Sequence, residues 1–210
     1  MTAANIFKNE LRKFNVDKIK HPVFYNFPVG IRFEIGIGEV YNSMGKQSGK
    51  YVSQALNRVN SIFESAFPDG ADLLIFEFNA QAEGDQNLII KRFSEGITSI
   101  PPHEIISENI EDDNLCIRMY WDLSKCSLNL QNLFKEIILA DIGGKFPGLT
   151  SAIYLFDTNR HIIFHLYDDR GLDVAAIDRE TLLLLYQKYN SWILDYDRPK
   201  IEKLFEGYSP

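Results

Sequence analysis

The sequence predicts an α+β protein: a mixed sheet with helices packed on it, ending in a three-strand antiparallel meander. Three observations predict this. Residues 50–66 place Val52, Ala55, Leu56, Val59, Ile62, Phe63 and Ala66 at helical spacing, one unbroken apolar stripe. Other short stretches alternate apolar and polar residues, the period of a half-buried strand, most plainly Ile31-Arg32-Phe33-Glu34-Ile35. The last third sets two apolar runs on either side of Asp157-Thr158-Asn159-Arg160, a good tight-turn sequence. No repeat, low-complexity tract or linker interrupts the chain, so residues 1–210 read as one domain.

The elements follow in order. Ile6, Phe7, Leu11 and Phe14 give a short amphipathic helix over about 4–14. His21-Pro22 and Phe27-Pro28 mark a loop, and the strand at 31–35 ends at Gly36-Ile37-Gly38. The helix at 50–66 is stopped by Pro68-Asp69-Gly70, and its Val52/Leu56/Val59/Phe63 stripe should lie on the sheet. Residues 72–78 read as a strand, 87–93 as a helical turn or two, and Ile100-Pro101-Pro102-His103 as extended or looped. A strand at 115–121 alternates Leu115, Ile117, Met119 and Trp121 with Cys116, Arg118 and Tyr120. Leu130, Phe134, Ile137 and Ile138 form the buried face of a helix over about 130–140, closed by Gly143-Gly144. Strands at 151–156, 161–167 and 173–176 make the meander, with Asp169-Arg170-Gly171 at its second reversal. Asp178 is placed to cap a helix carrying Leu182, Leu185, Tyr186, Tyr189 and Ile193, and Pro199 suits the first turn of a last helix near 199–206.

Composition narrows the function. The chain has 29 acidic and 22 basic residues, a net charge of −7, against the basic face that nucleic acid or an anionic membrane requires. A basic protein partner remains allowed. No run approaches the ~18 apolar residues of a membrane span, and the start lacks a signal core, so a cytoplasmic protein is expected. Cys116 and Cys126 stand ten apart without a histidine nearby, and read as two reduced thiols on a strand and in the loop after it.

Known chemical motifs fail in turn. Gly36-Ile37-Gly38 starts a dinucleotide fingerprint, but Tyr41 takes the place of its last glycine. Gly143-Gly144-Lys145 ends like a phosphate-binding loop, but Phe146 replaces the hydroxyl that would hold magnesium. His161 and His165 would be roughly 13 Å apart on a strand, too far for one ion. No cofactor is implied. What remains is a set of carboxylates and arginines: Asp168, Asp169, Arg170 and Asp173, then Asp195, Asp197 and Arg198. Arg32 and Glu34 join the set if they project from their strand toward the same end. Such a set can bind a divalent cation such as Mg²⁺, or divide acid and base roles between carboxylates. It can equally cap turns and tie the two corners with ion pairs, with no chemistry at all. A second cluster, Glu104, Glu108, Glu111, Asp112 and Asp113, holds five acids and no base, and most simply forms a solvated loop.

Two blocks give the chain a family likeness. One is Phe24-Tyr25-Asn26-Phe27-Pro28 with Ile31-Arg32-Phe33-Glu34-Ile35-Gly36, and Ile62-Phe63-Glu64-Ser65-Ala66-Phe67 behind it. The other is Tyr167-Asp168-Asp169-Arg170-Gly171-Leu172-Asp173 with Leu185-Tyr186 and Trp192-Ile193-Leu194-Asp195-Tyr196-Asp197-Arg198. The chain resembles a bacterial family known as a numbered domain of unknown function. The resemblance implies bacterial origin and a domain spanning the whole chain, and carries no activity with it. Two functions stay open. One is a non-enzymatic acidic interaction protein, such as a toxin-immunity protein, with the 104–113 acids as its partner-binding surface. The other is a hydrolase or phosphotransferase working from the Asp168/Asp169/Asp173 corner with Mg²⁺.

Overall fold

The structure is a computed structural model, and it describes residues 1–80, 83–109, 115–146 and 152–208, with the backbone alone for 83–86. Among these residues a single seven-stranded sheet is the frame. In chain order the strands are β1 (Val29–Glu34), β2 (Leu73–Ala80), β3 (Glu104–Asn109), β4 (Leu115–Asp122), β5 (Ile153–Asp157), β6 (Ile162–Leu166) and β7 (Gly171–Ala176). Across the sheet they lie in the order β1-β7-β6-β5-β2-β4-β3. The meander β5-β6-β7 is present as expected. The pairing, however, is antiparallel at every step, where a mixed sheet was anticipated. Parallel neighbours need a helical crossover between them, and here each neighbouring pair meets with its strands reversed.

The helices are α1 (Ala3–Lys13), α2 (Val23–Asn26), α3 (Gly49–Ala66), α4 (Glu83–Phe93), α5 (Leu130–Ala140), α6 (Arg179–Lys188) and α7 (Arg198–Leu204). The main core lies on the sheet face carrying Ile31, Phe33, Leu74, Trp121, Leu155, Phe164 and Val174, beneath α3, α5 and α6. A second core lies on the other face, where Phe7, Leu11 and Phe14 cover Ile75, Tyr120, Tyr154 and Ile163. Alternation along each strand therefore separates two apolar layers rather than core from water, which explains the richness in aromatics.

The apolar stripe of α3 packs inward, with Ala55, Val59, Ile62 and Ala66 fully buried and Val52, Leu56 and Phe63 half-buried at its edges. Phe63 nevertheless meets Phe164 of the sheet edge-on at 5.4 Å and Phe134 of α5 at 5.2 Å. The turn signals behave as their chemistry requires. Asp157 Oδ1 accepts from the amides of Asn159 and Arg160 at 2.9 and 2.8 Å, closing the β5–β6 turn. Asp178 caps α6 by accepting from Thr181 N at 2.8 Å, and Pro199 sits in the first turn of α7. Cys116 is buried in β4, Cys126 follows that strand, and both are free thiols. Burial raises the Cys116 thiol to about 11.

The acid-rich segment departs from expectation. Its first part is strand β3 rather than loop, paired with β4 from Glu104↔Tyr120 to Asn109↔Leu115. The charge is compensated locally: Glu104 accepts from Ala4 N at 3.0 Å, and Glu108 pairs with Arg118 at 2.8 Å. Ile106 packs against the α1-side core. Glu111, Asp112 and Asp113 lie outside the described residues. No helix among the described residues is long and apolar enough to cross a membrane.

Candidate functional site

The β6–β7 turn and its surroundings gather most of the charged residues the sequence singles out, but divide them between two sides of the sheet. Asp168 closes the turn. Its Oδ1 accepts from Arg170 N and Gly171 N, both at 2.8 Å, and its Oδ2 pairs with the exposed Arg170 guanidinium at 3.2 Å. Asp169 turns inward toward α3, where the Tyr51 hydroxyl donates to its Oδ2 at 2.5 Å. Burial, then that bond, holds the Tyr51 phenol well above its ordinary range. The approach is close enough that a Cβ at Gly36 would overlap both the Tyr51 hydroxyl and the Asp169 carbonyl.

Asp141, just past α5, joins this corner from the far side of the sequence. Ligand oxygens of Asp141, Asp168 and Asp169 all fall within 4.8 Å of one another. Burial and the two neighbouring aspartates push the Asp141 carboxyl up. These three are the residues that could hold a divalent cation. Their free valence is small: both oxygens of Asp168 and one of Asp169 are already engaged by amides, Arg170 and Tyr51.

Asp173 takes no part in that corner. It stands on the α1 side of β7, directly opposite Arg32 of β1, and is fully buried. Arg32 grips it with two parallel bonds, Nε–Oδ1 at 2.7 Å and Nη2–Oδ2 at 2.9 Å, and Phe24 N adds a third at 3.0 Å. Nη1 of the same arginine reaches Asp197 Oδ2 at 3.6 Å. The guanidinium sits 5.1–5.4 Å from the rings of Phe24, Tyr25 and Tyr167. Burial opposes the charge on Arg32, yet the bonds to Asp173 outweigh it and hold the group above its ordinary value. The other oxygen of Asp197 accepts the Tyr25 hydroxyl, and that bond raises the Tyr25 phenol to about 12.

An ion-pair link between the two charged corners was expected to run from Asp168–Arg170 to Asp195–Arg198. The link exists, but it runs Asp173–Arg32–Asp197. Asp168 and Arg170 pair with each other instead, because both lie in the four-residue connection between β6 and β7. Arg198 serves as a local clasp, donating to Asn190 Oδ1 at 3.0 Å and to the carbonyls of Asn190 and Ile193 at 3.1 Å. Asp195 is exposed beside it, and Glu34 is exposed at the end of β1, where its carbonyl accepts from Arg58.

Sequence reasoning missed a polar row on the α1 side of the sheet. The registers Arg32↔Asp173, Asp173↔His165 and Glu77↔Arg118 place these side chains across neighbouring strands. His165 is buried between the rings of His21 and Tyr154, 4.8 and 4.9 Å away, and the Tyr154 hydroxyl meets His21 Nε2 at 2.5 Å. Arg118 binds both Glu77 and Glu108. Polar residues at alternate strand positions were the available signal, but alternation alone reads as a solvent face. The two histidines four apart are separate, as their strand spacing implied: His161 meets Glu10 Oε2 at 2.8 Å, away from His165.

An antiparallel sheet with helices on both faces and arginine–aspartate pairs beneath its loops defines an α+β protein of one continuous sheet. Residues 7–197 match the family model described as Domain of unknown function (DUF3885), and the chain belongs to that family. A stretch of 44 residues is 39% identical to the uncharacterised protein YnaE of Bacillus subtilis (strain 168). That stretch is 21% of this chain and spans only 21% of the relative's length. No solved structure matches.

Proposed function

We propose that the protein is a non-enzymatic binding protein that engages a basic protein partner, the relation an immunity protein has to its toxin. The observation that supports this best is the state of Asp173. A fully buried carboxylate with both oxygens held by Arg32 and a third bond from Phe24 N has nothing left for substrate or metal. Asp169 is likewise committed to Tyr51, and Asp168 to its own turn. Most carboxylate oxygens of Asp168, Asp169 and Asp173 are thus engaged in holding the chain. With a net charge of −7, the acid-rich run from Glu104 to Asp113, which begins in strand β3 at the end of the sheet, is the part of the chain most suited to a cationic partner.

The test has two arms. A partner captured from the native cell is identified, purified and mixed with this protein, and its association rate is followed from low salt to about 0.15 M. A steep fall in rate supports the proposal. In the second arm, phosphoester substrates are supplied with Mg²⁺. Turnover that disappears in Asp168→Asn would replace the binding reading with a metal-assisted enzyme using Asp141, Asp168 and Asp169.

A further inference from the structure

At the β1 end of the sheet, opposite the acidic edge, lies a groove of about 340 Å³ between α2 and α7. This is at the small end of the roughly 300–1,000 Å³ typical of small-molecule sites. Its apolar walls are Phe24, Phe27, Pro28 and Leu204, with Gly30 of β1 packed closely under Phe24 at its base. Two exposed lysines, Lys200 and Lys203, complete the lining.

The charge here runs against the rest of the molecule. In a chain of net charge −7, the groove contains two ammonium groups and no acid. The neighbouring carboxylates are taken by other cations: Asp197 by Arg32, and Asp195 and Glu202 by Arg198. Among the described residues neither lysine has a carboxylate partner within an ion-pair distance. Lys200 Nζ is drawn instead over the rings of Phe24 and Tyr25, at 4.7 and 4.6 Å. A ring face is a weak partner for an ammonium compared with an oxyanion, so this lysine is placed to exchange the one for the other.

We infer that this groove binds a small organic anion, its carboxylate or phosphate between Lys200 and Lys203 and its ring or short chain against Phe24, Phe27 and Leu204. The site is separate from the acidic edge and independent of the partner reading. Both headgroups present the same feature to the lysines, a compact oxyanion. The lysines supply charge recognition, and the aromatic wall removes the apolar part from water.

The experiment is a titration of the full chain by ¹H–¹⁵N NMR with three probes: 4-phenylbutyrate, phenyl phosphate and the uncharged 4-phenylbutyramide. The expected result is saturable shifts of amides in residues 24–30 and 198–204 with at least one anion, at concentrations up to about 10 mM. The amide should bind about fivefold more weakly or worse, because each exposed ion pair contributes modestly. Lys200→Gln/Lys203→Gln should reduce anion affinity to the level of the amide, with the spectrum otherwise unchanged. Leu204→Trp, which fills the groove from its rim, should abolish binding of all three. The stronger anion identifies the headgroup. Equal affinity for the amide and the anions, shifts located elsewhere, or no saturable shift with either anion would overturn the inference.

Discussion

Arg32 and Asp173 face each other across the β1–β7 register and are joined by two bonds of 2.7 and 2.9 Å, with the aspartate fully buried. The pair fastens the edge strand β1 to the meander, and through Asp197 it also anchors the segment leading into α7. Asp173→Ala would leave the guanidinium beneath Phe24, Tyr25 and Tyr167 without its main counter-charge. The expected loss is about 3–5 kcal/mol in urea unfolding. Arg32→Met/Asp173→Leu should recover most of that loss, since an apolar pair carries no desolvation cost. A loss below about 1 kcal/mol for Asp173→Ala would mean the pair is not anchoring the edge.

Tyr51 and Asp169 form the second fastening, from α3 to the β6–β7 turn. Tyr51→Phe keeps the ring and removes the hydroxyl that Asp169 Oδ2 accepts from. The buried carboxylate then lacks that partner, at an expected cost of about 1–3 kcal/mol. Gly36→Ala should destabilise by a similar about 1–3 kcal/mol, because its Cβ would push the Tyr51 hydroxyl off its partner. Both are read from denaturant midpoints at neutral pH. An unchanged midpoint in Tyr51→Phe would show the turn held by Asp168 alone.

His21 gives the fold a pH dependence whose sign follows from its surroundings. Although the residue as a whole is exposed, desolvation of its ring against Tyr154 and His165 lowers its pKa below the ordinary 6.5, while Glu77 and Asp173 pull the other way. A lowered value means the folded state prefers the neutral ring. Between the folded pKa and 6.5 the unfolded chain binds more protons at residue 21 than the folded one. Stability from this residue is therefore complete above about pH 6.5 and declines as the pH falls through the folded value. The expected outcome is a melting temperature that drops less between neutral pH and pH 5 in His21→Asn than in the unaltered protein. The same slope in both would assign the acid sensitivity to other groups.

The sheet and helices were legible in the sequence wherever burial on two faces imposed a period. The α3 stripe and the two tight turns of the meander show it, since Asp157 and Asp168 bond amides two and three residues ahead. What was not legible depends on contacts with no local signature. Tyr51 and Asp169 are 118 residues apart, and a tyrosine near the start of a helix reads as surface. Asp141 approaches Asp168 and Asp169 for the same tertiary reason. Strand β3 was concealed by its own acids, whose neutralisation by Arg118 and by the Ala4 amide is visible only once β4 and α1 are in place. The charges singled out in the sequence divide into an Arg32–Asp173–Asp197 anchor and an Asp168–Asp169 corner that Asp141 joins, and that division belongs to the sheet's two sides.

The partner reading makes its sharpest prediction at the acid-rich edge. Glu104 and Glu108 are poor test positions, because one accepts from the Ala4 amide and the other pairs with Arg118. Reversing either would disturb β3 as well as the surface charge. Glu111, Asp112 and Asp113 continue the same run of acids, so Glu111→Lys/Asp112→Lys/Asp113→Lys changes the charge of that run by six units through three replacements of −1 by +1. Long-range attraction acts on the approach of a partner, so the association rate with a purified basic partner should fall about tenfold or more at low salt. The rate should also become less sensitive to added salt, while dissociation changes less. Urea unfolding of the triple variant, compared with the unaltered protein, is the control that the fold is retained. An association rate and salt dependence unchanged by the triple reversal, in a protein that still binds, would place the partner-binding residues outside this run of acids.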